Sequence, residues 1–276
     1  MRKSLITTAV LGALIAPSFV FAADAAPAPD LTVAYNVGLY SQYIFRGMTQ
    51  TNSQPAIQGG VDLTHSSGFY LGAWGSNISW LKDDPTPVYT KGGSLELDLY
   101  GGYRHTFASI GSGLGIDVGA LQYWYPGTLN KLVKPGANTT EVYGALNYGW
   151  LQGKLSVVAG DDAWGFGKIN GVGKNERGTY YAELNANIPI GDTGLTGLLH
   201  VGRQEFDSGK SFGTVSASYT DYKVGLSKSF ENGVNVGGYW TDTTVSTGST
   251  NALNNWTYAG KNIGQSTGTV FIQKTF

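Results

Sequence analysis

Leu95-Glu96-Leu97-Asp98-Leu99-Tyr100 decides the fold. Leucine alternates there with an acid or a tyrosine at a period of two, and successive strand side chains point to opposite faces. The leucines therefore share one face, and Glu96, Asp98 and Tyr100 share the other. A helix, with its longer period, would scatter those leucines around its surface. A sheet with one apolar and one carboxylate face needs a different medium on each side.

The same alternation recurs along the chain. Val33, Tyr35, Val37, Leu39, Tyr43 and Phe45 share a phase, against Thr32, Asn36, Gln42 and Arg46. Ile57, Val61 and Leu63 oppose Gln58, Asp62 and Thr64; Leu114, Ile116, Val118 and Ala120 oppose Asp117. Val142, Leu146 and Trp150 oppose Glu141, Tyr143 and Asn147; Tyr180, Ala182 and Leu184 oppose Tyr181, Glu183 and Asn185. Leu199 and Val201 oppose His200; Tyr222, Val224 and Leu226 oppose Asp221, Lys223 and Ser227. Leu155, Val157 and Ala159 form a short apolar strand, and Phe69–Trp80 is ambiguous because both phases carry apolar residues. The pattern amounts to about twelve strands without a helix.

The connections sort by length. Gly47–Pro55, Leu81–Gly93, Pro126–Thr139, Asp161–Gly178, Glu205–Gly213 and Val245–Gly264 are long and polar. They alternate with short turns such as Ser66-Ser67-Gly68, Leu151-Gln152-Gly153 and Glu231-Asn232-Gly233. Asn-Gly and Ser-Gly supply the positive φ that tight hairpins need. A soluble sandwich has no reason to alternate its loops by length, whereas a membrane barrel has short periplasmic turns and longer outer loops. The expected fold is thus all-β, a transmembrane antiparallel up-and-down barrel with its apolar face in lipid and its polar face in the lumen. Closure pairs every backbone donor and acceptor without leaving an edge. Tyr43, Trp80, Tyr103, Tyr123, Trp124, Tyr148, Trp150 and Trp240 are expected to form the interfacial girdles.

The ends agree with export. Arg2 and Lys3 precede an uncharged apolar run from Leu5 to Ala16, then Pro17 and a Val20-Phe21-Ala22 cleavage pattern. Residues 1–22 read as a signal peptide, 23–30 as a flexible leader and 31–276 as the barrel. The formal net charge is −1, and loss of Arg2 and Lys3 with the signal makes it more negative. With no basic stripe, no nucleic-acid partner is expected. Cysteine is absent, so disulfides and thiolate metal sites are excluded. Gly counts 41 of 276, beside 17 Tyr and 7 Trp, which suits a β protein and not a disordered chain. Phe276 closes the last alternating strand after Val270 and Ile272, the form of a signal read by the barrel-assembly machinery; Lys274 interrupts its apolar face.

Each candidate site also has a plain structural role. His65-Ser66-Ser67 sets a base beside hydroxyls, as a lipid-modifying enzyme would need, but it falls in a short turn with no nearby carboxylate in sequence. His105 lies on the apolar phase and His200 on the lumen phase, neither with metal-ligand spacing. Asp83-Asp84 and Asp161-Asp162 read as solvated loop acids. Gly165-Phe166-Gly167 and Gly171-Val172-Gly173-Lys174 lack the spacing of a phosphate loop. No catalytic, metal or cofactor residue is assigned. The remaining candidates are lumen charges: Arg46, Asp62, Glu96, Asp98, Arg104, Asp117, Glu141, Glu183, Asp221 and Lys223. Acids outnumber bases among them, so a weak cation preference is expected, with Arg46 opposing cations at the mouth.

A resemblance comes with particular residues. Ser41-x-Tyr43-Ile44-Phe45-Arg46-Gly47-Met48-Thr49-Gln50, Pro55-Ala56-Ile57-Gln58-Gly59-Gly60, Gly68-Phe69-Tyr70-x-Gly72-x-Trp74, Leu95 to Tyr103 and Tyr123-x-Tyr125-Pro126-Gly127 stand in order through the first half. Together they resemble the proteobacterial TorF-type porin family, Gcw_chp. The resemblance implies a barrel in the bacterial outer membrane that passes small solutes, and it implies no catalytic residue. The expected function is passive diffusion of small polar solutes or ions by a non-enzymatic channel without cofactor, with outer-membrane lipid as its surroundings. The alternatives are a non-conducting structural or adhesive barrel and a lipid-modifying barrel enzyme.

Overall fold

The computed structural model describes residues 30–83, 88–111, 113–130, 136–166, 176–207, 217–245, 256–258 and 261–276. The signal peptide and nearly all of the leader, with Asp84, Gly167 and Gly171 to Lys174, lie outside the described residues. In chain order the strands are β1 (Leu31–Tyr40), the short pair β2 (Ile44–Phe45) and β3 (Met48–Thr49), β4 (Ala56–His65) and β5 (Phe69–Asn77). Then come the short β6 (Tyr89–Gly92), β7 (Leu95–Phe107), β8 (Leu114–Trp124), the short β9 (Gly127–Leu129), β10 (Thr139–Tyr148) and β11 (Leu151–Val158). The second half holds β12 (Tyr180–Ile190), β13 (Leu195–Glu205), β14 (Tyr219–Ser229), β15 (Val234–Thr243), the short pair β16 (Thr257–Tyr258) and β17 (Lys261–Asn262), and β18 (Thr267–Thr275).

Twelve of these strands close into one antiparallel barrel in the order β1-β18-β15-β14-β13-β12-β11-β10-β8-β7-β5-β4. Each long strand pairs with its sequence neighbours, and β1 closes the circle on β18 with Leu39 opposite Ile272. The long connections gather at one end and the short turns at the other. Period-two alternation sets the faces throughout. Leu39, Leu71, Leu99, Val118, Leu146, Leu184, Val224 and Val270 all point outward, with Leu71 and Val270 each 64% exposed. An apolar surface of that extent on every strand is the wall of a barrel that faces hydrocarbon. Phe69–Asn77 resolves the same way: Phe69 and Leu71 face out, while Tyr70 and Trp74 are buried inside.

Inside, small and large residues interlock. Tyr100 lies over Gly72, Tyr143 over Gly119, Tyr181 over Gly202, Tyr239 over Gly225 and Phe271 over Gly237. A Cβ at Gly225 would come within 2.5 Å of the Tyr239 Cβ, and one at Gly237 within 2.7 Å of the Phe271 ring. The missing side chain lets each ring lie along the wall instead of across the bore.

The structure corrects the first strand. Tyr43 and Phe45 were expected on the lipid face, in phase with Leu39; β1 ends at Tyr40 and the chain then turns inward, so Tyr43 is 1% exposed. The phase rule lapses where the ladder stops. Three girdle assignments change as well. Tyr43, Trp80 and Tyr123 are interior: Tyr123 shares the inward parity of Leu121, and Trp80 follows the end of β5 and packs against Tyr125. Trp124, Tyr148, Trp150 and Trp240 remain outside. Tyr103 also faces outward, packed edge-on against Phe69. Phe276 stacks on Tyr35 at the short-turn end, and the Lys274 ammonium reaches the Asn232 carbonyl, carrying its charge off the apolar face.

Candidate functional site: a hairpin constriction inside the barrel

The segment after β1 folds into the bore as a hairpin. Ile44 pairs with Thr49 and Phe45 with Met48, so Arg46-Gly47 is a two-residue turn. Arg46 (φ 47°) and Gly47 (φ 79°) both take positive φ, which is the type I′ geometry of a tight hairpin. Glycine suits its place; arginine is uncommon at its own and is held there by its contacts. The tip crosses the barrel. In the circle of twelve strands β11 lies opposite β1, and Arg46 bonds to strands on either side of it. One guanidinium nitrogen donates to Glu141 of β10 at 2.7 Å and the other to Gln204 of β13 at 2.8 Å. The guanidinium carbon also sits 4.3 Å from the ring centre of Tyr181 on β12, 4.8 Å from Phe45 and 5.2 Å from Trp164. A Cβ on Gly47 would strike Asp221 of β14 and Thr243 of β15 at 2.6 Å, so the tip is also wedged sideways against the β14–β15 wall.

Aromatic rings collect around this tip. Phe45, Tyr123 and Trp164 pack edge to face in a triangle, and Tyr43 stands edge-on to Trp74. Phe166, Phe206, Tyr219 and Trp256 form a second cluster at the long-loop end. Tyr43 donates to Glu96 at 2.7 Å, Tyr125 donates to the same carboxylate, and Tyr123 donates to Glu141 at 3.1 Å. Burial, then Glu96 and Asp98, push the Tyr43 and Tyr125 hydroxyls well above the usual phenol range, so both remain donors. Burial opposes the charge on Arg46 most strongly, but Glu141, by charge and hydrogen bond, together with Tyr123 and Tyr181 outweighs it and leaves the guanidinium above its ordinary range. Three acids thus gather around Arg46, with Lys154 of β11 within electrostatic reach of Glu141. Asp98 Oδ1 and Glu141 Oε1 are buried and accept no hydrogen bond.

Nearer the short turns the acids are held by tyrosines. Tyr100 donates to Asp62 at 2.7 Å and Tyr70 to Asp117 at 2.6 Å, with Tyr143 bonded to Tyr70. Arg104 donates to Thr64 and lies over the Tyr70 ring. On the long-loop side, beside the hairpin tip, His200 bridges Asp221 at 2.9 Å and Asn185 at 2.6 Å; Tyr181 also donates to Asp221, and Asn185 to Glu183. Lys223 sits over Tyr239.

All ten lumen charges named from the sequence point into the barrel, and the hairpin brings Arg46, Glu96, Asp98 and Glu141 into one constriction. Arg46 was expected at the mouth, opposing cations; the structure carries it into the bore and pairs it with Glu141, because the chain turns inward at Ser41 before Arg46 is reached. One lumen base went unnoticed. Lys154 lies over the Tyr143 ring on the inner face of β11. Its parity against Leu155 and Val157 already carried that signal.

The other candidates have local roles. His65 Nδ1 bonds the Ser67 hydroxyl at 2.7 Å, yet it also accepts the Ser67 amide N–H, which is how a turn is closed. Among the described residues no carboxylate orients that imidazole. His105 faces outward between Tyr103 and Phe107. Asp161 pairs with Arg177 at the surface, Asp162 accepts the Gly165 amide, and Asp83 accepts the Ser79 hydroxyl. Among the described residues no group of three His, Asp or Glu side chains could hold a metal ion.

A closed β-barrel with an apolar exterior and a charged, constricted interior is a transmembrane barrel. The chain belongs to the family described as "Bacterial protein of unknown function (Gcw_chp)", matched over residues 24–276. No curated protein matches it by sequence. Among solved structures it is similar to the KdgM porin, at 10% identity and a TM-score of 0.48 over 88% of this chain and 98% of that one. It is also similar to the NanC porin, at 8% identity and a TM-score of 0.49 over 89% and 99%. Pseudomonas aeruginosa OccK5 (OpdH) matches at 14% identity and a TM-score of 0.37, over 90% of this chain and 67% of that one.

Proposed function

We propose that this chain is a bacterial outer-membrane channel of the TorF type that lets small polar solutes or ions diffuse past the Arg46 constriction. The signal peptide would direct export, and Phe276 would serve recognition by the barrel-assembly machinery. The observation that carries the reading is the hairpin itself. A scaffold barrel needs its wall and has no use for a charged turn wedged across its bore, whereas a channel uses such a turn to set size and charge. Below it, Lys154, Glu183, Arg104 and Tyr143 are only partly buried and line the inner wall. The excess of acids over bases supports a weak preference for cations.

A second reading draws on the long-loop end. Phe45, Trp80, Tyr125, Trp164, Phe206 and Trp256 surround a cavity of only about 50 Å³ there, which favours a non-conducting barrel. Single-channel recording in planar bilayers separates the two. Discrete conductance steps are expected from the wild type, with steps at least about twofold larger when residues 44–49 are replaced by a short Gly/Ser turn. Silence from both proteins, each shown to be folded by heat-dependent gel mobility, would establish the scaffold. A reversal potential of anionic sign under a salt gradient would refute the cation preference alone.

A further inference from the structure

The acids facing the hairpin tip are not all met by donors from the protein. Glu96 has Tyr43 and Tyr125 as donors, and the second oxygen of Glu141 has Arg46 and Tyr123. Asp98, 3% exposed and lying between them on β7, is the side chain left over: its Oδ1 has no donor, and neither has Glu141 Oε1. A buried carboxylate oxygen without a donor is costly, and two of them in one place call for a positive group from outside the chain.

The chemistry of that group is written into the site. Arg46 is itself an organic cation lodged against three ring faces and one carboxylate, so the constriction already accommodates a flat guanidinium. A small dehydrated metal ion suits the place poorly, because the acids and histidines of the described residues do not converge in a group able to hold one. An ammonium or guanidinium spreads its donors over several ångströms and takes aromatic faces as well as carboxylates. Tyr43, Tyr123 and Tyr125 bring their rings close to Asp98.

We infer that the constriction binds the ammonium or guanidinium group of a small organic cation between Asp98 and Glu141, with Arg46 as the tethered occupant of the neighbouring position. The solutes favoured by this barrel are then amines and guanidines. This rests on the channel reading for its consequence, but binding can be measured without transport. The Arg46 tip also gains a role: a second guanidinium competes with it for Glu141, so the solute that binds is the one able to loosen the hairpin.

The test uses the folded full-length barrel in detergent and in planar bilayers. The probes are n-butylammonium and n-butylguanidinium chloride, with butyrate and butyramide as matched controls. Binding is read by quenching of tryptophan fluorescence and by block of single-channel current. Both cations should bind and block while butyrate and butyramide do not. Asp98→Asn keeps every hydrogen bond named around Arg46 and Glu96, and should weaken the cations about tenfold or more, the cost of one charge-assisted bond. Arg46→Gln should tighten butylguanidinium more than butylammonium. Equal responses to cation and butyramide, which would mean that a proton or water satisfies Asp98, overturn the inference, as does an Asp98→Asn barrel with unchanged affinity. Should that variant not fold, the wild-type contrast between butylammonium and butyramide still decides. Fluorescence binding in a barrel that never conducts leaves the site standing and removes the channel.

Discussion

The two halves of the bore are filled by different means. Toward the long loops the interior is packed by chain that has left the wall: the Ile44–Thr49 hairpin, Trp80, Tyr125 and Trp164, closing over Tyr123 of β8, with Tyr43, Leu81 and Tyr123 at most 1% exposed. Toward the short turns the wall fills itself, with tyrosines from one strand lying on glycines of the next and their hydroxyls bonded to Asp62 and Asp117. The first arrangement depends on a few tertiary anchors and is movable in principle as a unit. The second is distributed around the barrel, and each piece is local. On the proposed channel reading, selectivity that can be altered without disturbing the barrel belongs to the upper half, and the fixed diameter belongs to the lower.

That contrast breaks most sharply at Arg46. Its side chain and that of Glu141 are 4% and 1% exposed, so Arg46→Ala strands a buried carboxylate and should cost about 3–5 kcal/mol of unfolding free energy. Replacing both partners by apolar residues of similar volume should recover most of it. Urea titration of the barrel in lipid vesicles, read by tryptophan fluorescence, measures both. A negligible loss in the single variant would mean that the hairpin is not anchored by its tip, and the division between halves would fail.

The outer face offers a control that should be blind to what fills the bore. Val118 lies near the middle of β8 and faces out, so Val118→Arg should cost about 2–4 kcal/mol by the same titration. Leu97 pairs with Trp124 at the long-loop rim, and an arginine there should cost only about 0–1 kcal/mol. Equal costs at the two positions would contradict a membrane band centred on the middle of the strands.

What could be read from sequence follows the same division. The outer face and the strand number were legible because period-two alternation is a property of the wall, and Leu95 to Tyr100 displays it without help from anything distant. The lower bore was half legible: Asp62 and Asp117 declared their face, but Lys154 was lost in a strand noticed for its apolar residues. The glycine–tyrosine pairs were hidden, because Gly72 and Tyr100 stand on different strands and only the register joins them. The upper bore was misread where it matters most. Tyr43 and Arg46 follow β1 in sequence, and nothing local says that the ladder ends at Tyr40; the inward turn is fixed by Glu96, Glu141 and Gln204, which are 53, 95 and 158 residues away from their partners.

In the lower half the expected effect is smaller and has a directional signature. Gly72→Leu must lift the Tyr100 ring off the wall and break its bond to Asp62. Overpacking of this kind costs about 1–3 kcal/mol, and the displaced ring should also narrow the bore, so stability and single-channel conductance fall together. Loss of stability with unchanged conductance would place the resistance to flow wholly at the hairpin.

The smallest effect carries the opposite sign. Gly144 and Gly153 face outward with nothing within 4 Å of an added Cβ, and neither takes positive φ. They are glycines that no ring uses. Gly144→Ala should stabilise the barrel by about 0.5 kcal/mol through the unfolded chain, leaving conductance unaltered. The sign separates two explanations for the glycine content of this protein. If outward glycines behave like Gly72 and resist substitution, glycine serves strand curvature everywhere and the interlocking wall is incidental. If only the inward ones resist, glycine is placed to receive a tyrosine, and the diameter of the lower bore is set by those pairs.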